Sequence, residues 1–152
     1  MPIPLFSQFS DEQLFQLVNV VLPAWVLLII SPKWKTTQAV VTLAASLMCL
    51  LYALLLANTL LSPTSDIQIQ DMFSYDGVAR LLSAKSTVLP AWVHFAAFDL
   101  WTGRWIAQDA MSRRFPRLLL APLLLLSMMF GPVGLLGYLS LRGSWRIKTK
   151  HE

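Results

Sequence analysis

The sequence predicts an all-α integral membrane protein, a four-transmembrane-helix bundle with a short amphipathic helix between helices two and three. Three observations predict it. Of the 152 residues, 56% are hydrophobic and only 13% charged, with a mean hydropathy of +0.59, outside the balance of a soluble domain. Four apolar segments, 14–30, 40–61, 88–107 and 118–141, each approach the roughly 20 residues needed to cross a hydrocarbon core of about 30 Å. The long connection at 62–87 holds residues 71–82, which space their apolar side chains as an amphipathic helix too short to span and suited to lying in the interface. Residues 1–152 are expected to form one membrane domain.

Ser10-Asp-Glu-Gln13 has the spacing of a capping box, with two acids where a helix N-terminus favours negative charge, so the first helix starts there. No basic residue precedes its apolar core and no small-residue cleavage pattern follows it, so the segment is expected to be retained. Pro23 should kink it. Gln16 and Asn19 share one face and suit hydrogen bonding to another helix or to a ligand. Ser31-Pro32 ends the helix, and Lys33, Trp34 and Lys35 suit an interface. Helix two is plain apart from Tyr52 and Asn58 and closes at Ser62-Pro63. Its Cys49 is the only cysteine, which excludes an intramolecular disulfide and is expected to pack as a small apolar residue.

Within the connection, Asp76-Gly-Val-Ala-Arg80 matches the core of a two-metal phosphotransferase motif. The other acids of that motif are missing, with Phe73, Val93 and Ala97 in their places, so no metal pair can be built. Val21-Leu-Pro-Ala-Trp-Val26 recurs letter for letter as Val88-Leu-Pro-Ala-Trp-Val93, the mark of a parallel duplication of helix pairs. In the fourth segment Gly131, Gly134 and Gly137 form an edge for close helix packing, and Pro132 should bend the helix and free a carbonyl. Four crossings put both termini and the long loop on one face. The basic residues then divide six against five, no asymmetry that orients the chain. The net charge of +4 suits lipid headgroups, and nucleic acid is not expected as a partner.

The polar residues concentrate at His94–Asp109. Ionisable groups at such depth are costly and point to function. A charged helix end with its interfacial aromatics would also account for Arg104, Trp105 and Asp109. At about 100° per residue, Trp101 and Trp105 lie within about 20° of His94, while Asp99 points about 140° away. Burial raises a carboxylate's pKa and lowers a histidine's, so His94 and Asp99 are the candidate acid–base groups. Asn19, Trp92, Trp101, Arg104, Trp105 and Asp109 are the candidate substrate-binding residues. One deep histidine gives poor support for a metal, and His151 in the tail is expected to be solvated. No cofactor is implied.

Trp92-Val-His94, Phe98-Asp99-Leu100, Gly103-Arg104-Trp105, Asp109, the Pro116 turn and Met129-Phe-Gly-Pro-Val-Gly-Leu135 resemble the signature of the abscisic-acid-deficient-four-like family of small four-helix membrane proteins. The resemblance runs from Asn19 through the fourth segment. Plant members are required for making neoxanthin from violaxanthin, which opens an epoxide and forms an allene. It implies a role in carotenoid or related isoprenoid metabolism, possession of His94, Asp99, Arg104 and Asp109 as a polar signature, and an isomerase-type reaction. With no Ser/Arg-rich transit stretch ahead of the first helix, the chain is expected to be a bacterial or cyanobacterial member or a mature form, and the expected localisation is multi-pass in a bacterial inner or thylakoid-type membrane. The expected partners are the lipid bilayer and a hydrophobic isoprenoid or carotenoid ligand. Two other readings stand beside this: a non-enzymatic scaffold or assembly factor holding pigment or protein, and a transporter built from the two repeats, which would need a homo-oligomer.

Overall fold

The computed structural model describes residues 8–62 and 68–145. Among them every regular element is helical: α1 (Asp11–Val18), α2 (Val21–Ile30), α3 (Lys35–Leu61), a 3-10 turn (Ile69–Phe73), α4 (Tyr75–Ser83), α5 (Lys85–Ser112), α6 (Arg117–Phe130) and α7 (Pro132–Arg142). Two stretches, Asp11–Ile30 and Lys35–Leu61, are long and apolar enough to cross a membrane. The expected helix end at Ser62-Pro63 lies partly, and His151 wholly, outside the described residues. The chain divides into two compact units, one containing the residues up to Asn19 with Leu47–Ala96, the other Val20–Ser46 with the chain from Ala97 onward.

Helix boundaries follow caps and prolines. The Ser10 hydroxyl accepts from the Gln13 N–H at 3.2 Å, and the Gln13 side chain accepts from the Ser10 N–H at 2.9 Å, the capping box expected of α1. The first predicted helix is interrupted between Val18 and Val21. Pro23 has no N–H to offer the Asn19 carbonyl and its ring crowds that group, which puts the break one turn ahead of the proline. Pro90 lies inside α5 without ending it. The carbonyl it leaves unbonded belongs to Ser86, and the Thr59 hydroxyl, bonded to the Leu55 carbonyl at 2.9 Å, reaches it at 3.4 Å. Such relief is what permits a proline within a helix.

The fourth apolar segment differs most from expectation. Instead of one bent helix over 118–141, the chain stops at Gly131 and returns on itself. Contacts pair residues progressively farther from that glycine. A Cβ at Gly134 would overlap the Ser127 backbone, one at Gly137 would press on the Leu123 side chain, and the Tyr138 ring lies 5.4 Å from Phe115, ahead of α6. α6 and α7 therefore form an antiparallel hairpin with Gly131 at its tip. The glycine edge does serve close packing, largely between the two arms of this hairpin. At about 1.5 Å per residue the arms are about 21 Å and 16 Å long, both short of a bilayer core of about 30 Å.

Three smaller expectations also meet the structure. The region at 71–82 is a 3-10 turn packed against α4. A Cβ on Gly77 would overlap the Asp71 carbonyl, and Arg80 pairs with Asp71 at 2.6 Å, so the metal-like Asp-Gly…Arg string here serves local packing. The repeated hexapeptide does not repeat its environment: Trp25 is 2% exposed and Trp92 is 52% exposed. Identical letters thus turn opposite sides to the interior, because helix phase is set by the residues around them. Cys49, expected to be buried, is exposed.

Candidate functional site

In the first unit the features lie around the α3 and α5 helices. The His94 ring meets Tyr52 edge-on at 5.2 Å and Phe95 at 6.0 Å. Trp92 stacks with Phe15 at 6.3 Å. Asn19 donates to Gln16 at 2.8 Å, and Gln16 donates to Glu12 at 2.9 Å, along an exposed face of α1. These amides satisfy one another, so Asn19 is engaged within its own helix end.

In the second unit α5 runs beside the hairpin. At the tip, a Cβ on Gly131 would occupy the position of the Asp99 carboxylate. Glycine there lets the acid reach the interruption between two helices. The first turn of α7 has no side-chain cap, and its dipole favours a negative charge at that end. Four residues further along α5, Gly103 makes room for the Trp25 ring. The Arg104 guanidinium lies 4.9 Å above the Trp101 ring, and its buried Nε lacks a hydrogen-bond partner.

At the hairpin base the chain builds a hydrogen-bonded cluster around one acid. Asp109 accepts from Arg113 at 2.8 Å, from the Tyr138 hydroxyl at 2.6 Å and from Arg142 at 3.2 Å. Tyr138 is fully buried, Trp105 meets it edge-on at 6.0 Å, and Arg142 lies 5.3 Å over the Trp105 ring. Asp109 lies two residues beyond the apolar span of α5. Burial raises its pKa, but the Tyr138 and Arg113 hydrogen bonds and the charges of Arg142 and Arg113 outweigh that effect and hold it below its ordinary 3.8. The group is an ionised strut that ties the last turns of α7 and the turn after α5 to α5.

The predicted residues therefore sort by position. Asp99 lies at the hairpin tip, Asp109 and Trp105 at the base, Arg104 and Trp101 between them, and His94 and Trp92 in the other unit. From Asp109 back to Asp99 is ten residues, about 15 Å along the helix, or half the thickness of a hydrocarbon core. Sequence reasoning missed Tyr138, Arg142, Trp25 and the edge contact of Tyr52. Tyr138 and Arg142 are i,i+4 partners on one helix, a signal that was available. Nothing local marks Trp25 as the partner of Gly103.

An all-helical chain with two stretches able to cross a membrane, and with a carboxylate set against a glycine at a helix interruption, is a small helical membrane protein with a polar centre. Its family can be stated as well. A family model described as ABA DEFICIENT 4-like matches residues 13–138, most of the chain, and the protein belongs to that family. No curated protein and no solved structure matches the chain.

Proposed function

We propose that the protein is a multi-pass membrane protein of xanthophyll or related isoprenoid metabolism that binds an elongated apolar ligand and isomerises it by acid–base chemistry. The observation that carries this reading is the Asp99 carboxylate at Gly131, since an acid at membrane mid-depth is costly unless it acts. Family membership supports the pathway. Opening an epoxide to an allene needs one proton delivered to the oxygen as its C–O bond breaks and one removed from carbon, with no net oxidation. Asp99 and His94 are the candidate donor and acceptor. Trp101, Arg104 and Trp105 line the ligand's path, while Asp109 holds the hairpin. The test is pigment analysis of cells carrying His94→Ala or Asp99→Asn. Loss of product from a protein that still inserts and folds is expected; unchanged pigment in both would overturn the enzyme reading and favour a scaffold. The exposed aromatic side chains of α5, Phe95, Phe98 and Trp101, would serve that second reading as a pigment-holding face.

The hairpin also gives the multi-pass arrangement a form. α1 with α2, α3 and α5 each cross, and α6–α7 enters and leaves on one face, in place of a fourth crossing. Among the described residues, Lys33, Lys35, Arg113, Arg114, Arg117 and Arg142 then share one face, against Arg80 and Lys85 on the other. Six against two is an asymmetry the positive-inside rule can use. The six-residue face is cytoplasmic, and α1 begins at the outer face. In a bacterial inner or thylakoid-type membrane, α4 and its exposed Met72, Phe73 and Leu82 then rest in the opposite interface.

A further inference from the structure

The first unit contains a cleft that neither His94 nor Asp99 lines. It encloses about 420 Å³, within the range of small-molecule sites. Three helix ends meet there: the first turn of α1, the last turn of α3 and the first turn of α5. Leu14 and Leu55, 5% and 6% exposed, form part of an apolar floor with Leu89 and Pro90. Asn58, Thr59, Ser62 and Ser86 supply amide and hydroxyl groups above it. Asp11 and Lys85 stand at the rim with their charged ends 3.9 Å apart and their side chains 70% and 92% exposed. So long and solvated a pair contributes little by itself, and either charge can take a closer partner without a large loss.

We propose that this cleft binds the headgroup of a zwitterionic phospholipid, with phosphatidylethanolamine preferred. The lining combines one anion and one cation, so a zwitterion satisfies both while a net anion leaves Asp11 opposed. The phosphate pairs with Lys85. The ammonium donates to the Asp11 carboxylate and to neighbouring amide and hydroxyl oxygens, bonds that a trimethylammonium group cannot make for want of N–H donors. The glycerol end and the first methylenes rest on Leu14 and Leu55. Placement at three helix ends puts the headgroup at the membrane interface, where such lipids present it. This inference is independent of the acid–base reading, since it uses none of its residues.

The test reconstitutes the full-length protein into nanodiscs holding equal amounts of phosphatidylethanolamine, phosphatidylcholine and phosphatidylglycerol with identical acyl chains. Retained lipid is then weighed by native mass spectrometry after release. One phosphatidylethanolamine per chain is expected, in excess of the other two. Asp11→Asn and Lys85→Gln should each reduce its retention about threefold, the modest scale of a single solvated charge contact. Arg114→Gln, a charge removed elsewhere, should leave it unchanged. Retention led by phosphatidylglycerol, equal retention of the choline and ethanolamine lipids, or cleft variants that bind like the parent would each overturn the proposal. Helical content by circular dichroism separates a lost site from a lost fold, because both side chains are exposed and the neutral amides that replace them leave the helix backbone intact.

Discussion

The sharpest consequence of the hairpin is where the two ends of the chain emerge. If the segment from Arg117 to Arg142 were one continuous helix, its 26 residues would extend about 39 Å and would cross. Folded at Gly131, its arms reach about 21 Å and 16 Å, half to two thirds of the core thickness. On the proposed three crossings, Gln8 and Ser144 are expected on opposite faces of the membrane. Placing single cysteines by Gln8→Cys and Ser144→Cys tests this, in a Cys49→Ala background because Cys49 is exposed. In sealed right-side-out vesicles a membrane-impermeant maleimide should label the first and not the second; disruption of the vesicles should bring both to the same level. Equal labelling of both before disruption would restore four crossings, remove the six-against-two charge asymmetry and refute the re-entrant reading.

Other consequences follow from the same contacts. Gly134→Ala should destabilise the protein by about 1–3 kcal/mol, since its Cβ would meet the Ser127 backbone, which cannot move aside as a side-chain end can. Gly143→Ala, with open space around it, should be close to neutral. Thermal unfolding in detergent ranks the two, and a reversed order would contradict the hairpin packing. Asp109 has a folded pKa below its unfolded value of 3.8, so its contribution is complete above that value and is lost as pH falls through the folded pKa. Asp109→Asn should lower stability at neutral pH and flatten this acid dependence, read from unfolding curves between pH 6 and the acid limit. Tyr138→Phe removes a 2.6 Å bond to a charged acceptor and should cost about 1.5–3 kcal/mol. An unaltered unfolding midpoint would show that the two arginines suffice.

Much of the fold was legible because membrane helices write themselves in long apolar runs and their ends in caps and prolines. The capping box at Ser10 and a short helix within 71–82 were readable in this way. The His94–Asp109 stretch stood out because charge is rare in such surroundings. What the letters could not convey was which groups meet. Gly131-Pro132 reads equally as a bend or a reversal, and only the facing of Gly134 on Ser127 and of Gly137 on Leu123 decides between them. The repeated hexapeptide read as a duplication, yet its tryptophans lie one inside and one out, because burial depends on the phase of the whole helix.

The sequence by itself determined that the protein is helical, membrane-embedded and marked by a polar third segment, since composition and periodicity are local properties. The tertiary structure decided that Asp99 lies at a helix break while Asp109 lies in a closed cluster with Tyr138, Arg113 and Arg142. Two aspartates ten residues apart on one helix carry the same chemistry in the letters. These distant neighbours come from a hairpin more than twenty residues downstream, and only its fold gives one a glycine and the other two hydrogen-bond donors beside the nearby Arg113.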